Sequence, residues 1–181
     1  MKKLSDLNNS TNEQAFEAIL PLVEKAPEIA RRVAHQRPFR NLDHLELVIR
    51  TELQNLGEQE KIELFRSHPE LAPHDPVVMT KESQSEQGRL NLTSREFEHR
   101  ERLSELNTLY REKHGFPFIT ALVRHDDIDS VLTEFEARMK RDRNAEIEQA
   151  IVEIALVSSA RVQASFSVSD APVSKLDTST T

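Results

Sequence analysis

Three stretches near the middle of this 181-residue chain concentrate the side chains able to do chemistry: Ser67-His68-Pro69-Glu70-Leu71-Ala72, Ser83-Gln84-Ser85-Glu86-Gln87 and Gly115-Phe116-Pro117-Phe118-Ile119. The proline after His68 holds His68 in an extended conformation and ends any helix that precedes it. His68 therefore stands at a helix C-terminus, where the carbonyl end of the dipole favours an imidazolium. A histidine held in this way is a candidate general acid. Taken alone, a solvated histidine closing a helix is the commoner reason for such a residue. Glu86 and Gln87 could likewise cap the turn that follows them. Phe116, Pro117 and Phe118 are core material in any reading, and Arg161 could pair with Glu153 or another acid.

Other chemistries find less support. Seven histidines are present, but none forms a His-Glu-x-x-His pair; His68, His74 and Asp75 make the one tight cluster. A three-ligand metal site there is the minority reading, since scattered surface histidines are commoner. No glycine-rich phosphate loop and no Gly-x-Ser-x-Gly elbow occurs. The absence of cysteine excludes disulfides and thiolate catalysis and agrees with a reducing compartment. A formal charge of −7, with acids interleaved among the bases, argues against a nucleic-acid partner. Nor does any stretch approach the roughly 20 apolar residues of a membrane span. A cytoplasmic protein is expected. Ser174-Lys175-Leu176 spells the peroxisomal signal, but five residues follow it, and that signal is read at a free C-terminus.

The elements that must position these residues read as helices. Only three glycines, 37% apolar and 30% charged residues suit amphipathic helices better than turn-rich sheet. Thr11 and Gln14 form a capping box before Phe16, Ile19, Leu20 and Val23, with a bend near Pro21. A short helix over 28–35 follows Pro27. After Arg37-Pro38-Phe39, whose phenylalanine plugs the core, Asp43 is read as the N-cap of a helix through Leu45, Val48, Ile49 and Leu56. Residues 58–67 make the helix that His68 ends. From 71 to 92 the periodicity is lost, and 80–87 is expected to form at most a short helical turn. Thr93 and Glu96 make a second capping box, opening a long helix through Phe97, Leu103, Leu106 and Tyr110 that Gly115 closes. The apolar run over 115–123 lacks a partner strand and is expected to be an extended, buried connector. Two further helices carry Ile128 to Met139 and Ile147 to Val162. The expectation is an all-α, single-domain compact bundle of about seven to nine helices over 1–164, without significant sheet, and a disordered Ser/Thr-rich tail over 165–181.

At these same stretches the chain resembles the 2-oxo-4-hydroxy-4-carboxy-5-ureidoimidazoline (OHCU) decarboxylases of urate breakdown. Arg37-Pro38-Phe39, His68-Pro69-Glu70-Leu71-Ala72, Ser83-x-x-Glu86-Gln87, Leu106-Asn107-x-x-Tyr110, Gly115-Phe116-Pro117-Phe118-Ile119 and the late Arg161 carry the resemblance, in order and spacing, across residues 5–163. Two places depart from it: Pro73 follows Ala72 where the family usually has glycine, and Gly88-Arg89-Leu90-Asn91-Leu92 follows Gln87 where the family usually has an Ala-Gly-Leu stretch soon after the Glu-Gln pair. The resemblance implies a cofactor-free, metal-free decarboxylase that converts OHCU to (S)-allantoin, and a homodimer. It implies His68 as catalytic histidine and Glu86 as its carboxylate partner. Pro69, Ser83, Gln84, Ser85, Glu86, Gln87, Ile119, Thr120, Ala121, Leu122 and Val123 would line the substrate, with Gln87 reading its ureido or ring amide edges and Arg161 taking a carboxylate. The rivals are a non-catalytic helical interaction module that keeps the family core, and a lyase for another ureido acid.

Overall fold

A computed structural model describes residues 1–75, 77, 79–94 and 99–167, and its architecture is helical. The helices are α1 (Leu4–Asn9), α2 (Asn12–Ile19), α3 (Pro27–His35), α4 (Leu42–Gln54), α5 (Glu58–Ser67), α6 (Lys81–Arg89), α7 (Arg100–His114), α8 (Ile128–Arg138) and α9 (Arg143–Ser165). The only sheet among the described residues is a two-residue parallel pairing of β1 (Lys2–Lys3) with β2 (Phe166–Ser167). Among the described residues, nine helices and no substantial sheet agree with the all-α expectation.

The 23-residue α9 is the axis of the bundle. It packs against α4, α5, α7 and the turn after α2, and it buries residues on several faces, including Ile147, Ile151, Ile154 and Val162. A helix surrounded in this way has no single apolar stripe. Glu146, Glu153 and Arg161 are buried on it too, so α9 carries charge into the core. Burying a charge is costly unless it is paired, which requires partners on other elements. Beside α9 lies an aromatic cluster. Phe118 stacks on Phe135 with centroids 3.8 Å apart, and Tyr110 meets Phe118 edge-on at 5.4 Å.

The local signals mostly hold. The Thr11–Gln14 capping box forms, a 3-10 turn over Leu20–Leu22 absorbs Pro21, and Phe39 is buried. Residues 116–121 are buried and belong to no helix or strand, Ala121 being extended, and a 3-10 turn at Leu122–Arg124 follows them. Three details differ. The N-cap of α4 is Asn41, whose side chain accepts from the His44 N–H; an asparagine at the position before the first helical turn preempts Asp43. Residues 81–89 form a full helix, capped by Thr80 accepting from the Ser83 N–H. Its polar composition hides it from a periodicity argument, and Thr80 is its clearest local signal. Third, α7 starts at Arg100 rather than Thr93; Glu96 and Phe97 lie outside the described residues. At the C-terminus α9 continues through Ser165 and Phe166 is buried, so three residues assigned to the tail belong to the ordered fold. Residues 168–181, with Ser174-Lys175-Leu176, lie outside the described residues. No helix among the described residues is long and apolar enough to cross a membrane.

Candidate active site

The end of α5 places the histidine. His68 is the C-cap, with φ −74° and ψ 143°, the extended conformation that Pro69 demands. Its Nδ1 lies 2.8 Å from the Leu64 carbonyl oxygen one turn back. A carbonyl only accepts, so Nδ1 carries the proton and Nε2 of the neutral ring holds a lone pair. Burial pushes the His68 pKa below its ordinary value, and the Arg161 and Lys25 cations push the same way; the Leu64 hydrogen bond and the Glu24 carboxylate only partly oppose this. The imidazolium expected from the helix dipole is therefore not the form favoured here. Desolvation outweighs the terminal carbonyls.

The loop after His68 is held by groups drawn from two of the recognised motifs. Gln87 Nε2 donates to the Glu70 carbonyl at 3.0 Å, and its Oε1 accepts from the Ala72 N–H at 2.8 Å. Ala72 sits there at φ +49°, a strained conformation for a residue with a Cβ. Asn107 Nδ2 donates to the Leu71 carbonyl at 2.9 Å. Gln87 and Asn107 thus shape the turn that carries His68, and both functions of the Gln87 amide already serve it.

His68 lines a cavity with Glu24, Pro69, Leu71, Ser83, Glu86, Gln87, Phe118, Ile119, Thr120, Leu122, Ile154, Val157, Ser158 and Arg161. Its free space is about 60 Å³, room for about two waters. Of the residues implied for the site, Pro69, Ser83, Glu86, Gln87, Ile119, Thr120, Leu122 and Arg161 converge with His68. Ser85 and Val123 do not; they face an adjoining groove of about 840 Å³ that shares Glu86, Leu122, Val157 and Arg161 with the cavity. Gln84 donates to the Met79 carbonyl, and Ala121 is fully buried with its N–H on Glu153 Oε2 at 2.8 Å.

The carboxylates are arranged differently from the expected His68–Glu86 pair. Glu86 grips Arg161 with both oxygens, Nε to Oε1 at 2.7 Å and Nη2 to Oε2 at 2.8 Å. The remaining Nη1 donates to Glu24 Oε2 at 2.8 Å and to the Pro21 carbonyl at 3.1 Å. Thr80 Oγ1 lies 2.9 Å from both Glu24 oxygens. Burial alone would raise the Glu24 pKa, but the Arg161 charge and hydrogen bond, with the bond from Thr80, outweigh it and hold the carboxyl below its ordinary value. Arg161 is held charged against its own burial by Glu86 and Glu24. Sequence reasoning missed Glu24. One acid among 31 carries no local mark, and its partners Thr80 and Arg161 are 56 and 137 residues away.

The backbone over 119–125 is fixed from behind. Arg138 Nη1 donates to the Ile119 carbonyl at 2.8 Å, Glu153 takes the Ala121 N–H, and Arg89 Nη2 donates to the carbonyls of Leu122 and of His125, the latter at 2.7 Å. These carbonyls and this N–H are committed to the protein. Among the described residues, the N–H groups of Thr120 and Leu122, both at the cavity, donate no hydrogen bond within the protein. Among the described residues no three His, Asp or Glu side chains come together to hold a metal, and His68, His74 and Asp75 do not converge.

Together these groups form a small cavity with a histidine acceptor, a fork-shaped cation and two carboxylates, an arrangement suited to binding an anion and moving a proton beside it. Comparison with known proteins points the same way. The model of a family described as OHCU decarboxylase matches residues 8–163. A 2-oxo-4-hydroxy-4-carboxy-5-ureidoimidazoline decarboxylase of Halalkalicoccus jeotgali is 31% identical over 160 residues, 88% of this chain and 89% of that one. The mouse protein of the same name is 37% identical over 143 residues, 78% of this chain and 80% of its own. A crystal structure of an OHCU decarboxylase in the presence of (S)-allantoin shares the fold, with a TM-score of 0.65 at 20% identity over 86% of this chain and 97% of that one.

Proposed function

The chain belongs to the OHCU decarboxylase family, and from that premise we propose that it removes carbon dioxide from OHCU to give (S)-allantoin, with His68 as the group that moves the proton. The observation that carries this reading is the His68 ring itself: Nδ1–H is committed to Leu64, which leaves Nε2 of the neutral ring as an acceptor in a cavity that also holds Arg161.

OHCU bears its hydroxyl and carboxylate on one ring carbon, C4, next to the C5=N imine. As the bond from C4 to the carboxylate breaks, its electron pair forms C4=C5 and displaces the imine pair onto nitrogen, which takes a proton from water. Nε2 of His68 accepts the hydroxyl proton and returns it to C5. The products are carbon dioxide and neutral allantoin, and one solvent proton is consumed per carboxylate lost. A donor fixed on one side of the ring delivers to one face, which sets the configuration at C5. Pro69, Leu71 and Phe118 keep water off that face. Arg161 supplies the cation for the carboxylate, and Glu86, the second acid–base group, relays that solvent proton to the imine nitrogen rather than acting on His68. The N–H groups of Thr120 and Leu122 donate to the carbonyl oxygens of the ring or ureido arm.

The test is circular dichroism of allantoin formed from freshly generated OHCU, with the wild type beside His68→Ala and Glu86→Ala. An optically active product that both substitutions abolish supports the reading. Racemic product at the spontaneous rate from the wild type sinks it and favours a non-catalytic module. A homodimer is the assembly that accompanies this reading, and sedimentation equilibrium checks it.

A further inference from the structure

We infer that the substrate carboxylate docks by exchange: it takes Nε and Nη2 of Arg161 away from Glu86, and the exchange is what releases Glu86 to act. This rests on the decarboxylase reading above and adds how its anion is received.

Among the described residues lining the cavity Arg161 is the one cation, and each of its three nitrogens is already engaged, Nη2 also with Ser83 Oγ at 3.5 Å. Nε and Nη2 hold Glu86 in the parallel, two-bond geometry that a substrate carboxylate would itself adopt, and Nη1 is on Glu24. With His68 neutral, the lining carries two carboxylates and one guanidinium, a net charge of −1. An anion added to this set would bring three negative charges to one positive in a poorly solvated space. An anion that replaces one carboxylate leaves the balance unchanged.

The structure distinguishes which carboxylate leaves. The Glu24 side chain is 3% exposed and Thr80 holds both of its oxygens. The Glu86 side chain is 34% exposed, and among the described residues its polar partner is Arg161. Glu86 also lines both the inner cavity and the 840 Å³ groove outside it, where Lys81 and Arg89 of the same helix offer cations to a carboxylate that swings outward. Size requires the same motion. Pockets for ligands of this kind run to about 300 Å³ or more, and the inner cavity offers about 60 Å³. Moving Glu86 joins the cavity to the groove, while Glu24 keeps the guanidinium in place for the incoming anion.

The probe is 2-oxoimidazolidine-4-carboxylate, a stable cyclic urea with a carboxylate, with its carboxamide as the uncharged control. Titration calorimetry at pH 7 compares the wild type with Glu86→Gln and, as a second variant, Glu86→Ala, each first shown to melt cooperatively. The exchange predicts that both variants bind the carboxylate about tenfold tighter than the wild type, a gain of about 1.4 kcal/mol, because the internal competitor is gone. The carboxamide should bind all three alike, and Arg161→Lys in the Glu86→Gln background should remove the gain. Equal, weaker or undetectable carboxylate binding in the two variants overturns the exchange. That result is separable from failure of the decarboxylase reading, which shows as wild-type protein that leaves OHCU to decay at its spontaneous rate.

Discussion

His68 Nδ1 and the Leu64 carbonyl oxygen are 2.8 Å apart across the last turn of α5, and this one bond settles which nitrogen of the imidazole can take up a proton. The nitrogen left to accept is Nε2, and burial lowers the pKa of the ring.

Activity should therefore have an acid limb that belongs to His68 and lies below pH 6.5, its ordinary value. A folded-state pKa lowered for histidine means that the neutral ring's contribution to stability is complete above 6.5 and declines as the pH falls toward the lowered value. Catalysis by the neutral ring follows the same sign. We expect kcat/KM to be flat near neutrality and to fall about tenfold per pH unit below the limb. Glu24 works to raise that pKa, so Glu24→Gln should move the limb further down. A limb at or above 6.5, or an upward shift in Glu24→Gln, contradicts the assignment.

Arg161→Met leaves the buried Glu24 carboxylate without its cation. Removing one partner of a buried pair costs about 3–5 kcal/mol, and urea denaturation should register most of it. Combining Arg161→Met with Glu24→Gln should restore a large part of the loss, since the stranded charge is then gone. A double variant no more stable than the single would show that packing around Arg161, not its charge, sets the cost.

Gln87→Leu tests a structural role for a residue that its motif assigns to the substrate. The substitution strands the Glu70 carbonyl and the Ala72 N–H. Each buried group left unpaired costs about 1–3 kcal/mol, so the protein should lose several degrees in melting temperature. Gln87→Glu retains an acceptor for Ala72 and should sit between the two. Full stability in Gln87→Leu, with a raised KM, would return Gln87 to the substrate.

Arg89 is exposed, yet its Nη2 ties the end of α6 to the carbonyls of Leu122 and His125. Arg89→Ala should change melting little. It should loosen the helix that bears Glu86 against the segment that bears Thr120. The readout is enantiomeric purity: a looser site lets the C5 proton arrive from either face, and optical purity should fall while turnover persists. Unchanged purity would mean that α6 is positioned by Thr80 and Gln87 without Arg89.

What was legible in the sequence is what short-range physics decides. Pro69 ends α5 and extends His68, Thr11 caps α2, and residues 116–121 are buried without helical periodicity. The motif spacing also brought eight of the implied residues to one cavity with His68. Where the local signal was polar, as in α6, or had two candidate caps, as at Asn41 and Asp43, the reading was short or displaced by a residue or two.

The sequence by itself determined the helical class, the position of His68 at a helix end and the family, because proline geometry, periodicity and motif order act within a few residues or survive as spacing. Only the tertiary structure decided the partners of the charges. Arg161 meets Glu86 across 75 residues and Glu24 across 137. Pairing across such distances depends on which helices pack and how completely they exclude water, and no local pattern encodes either. The same packing lowered the His68 pKa, because a desolvation penalty exists only once the chain has closed around the ring.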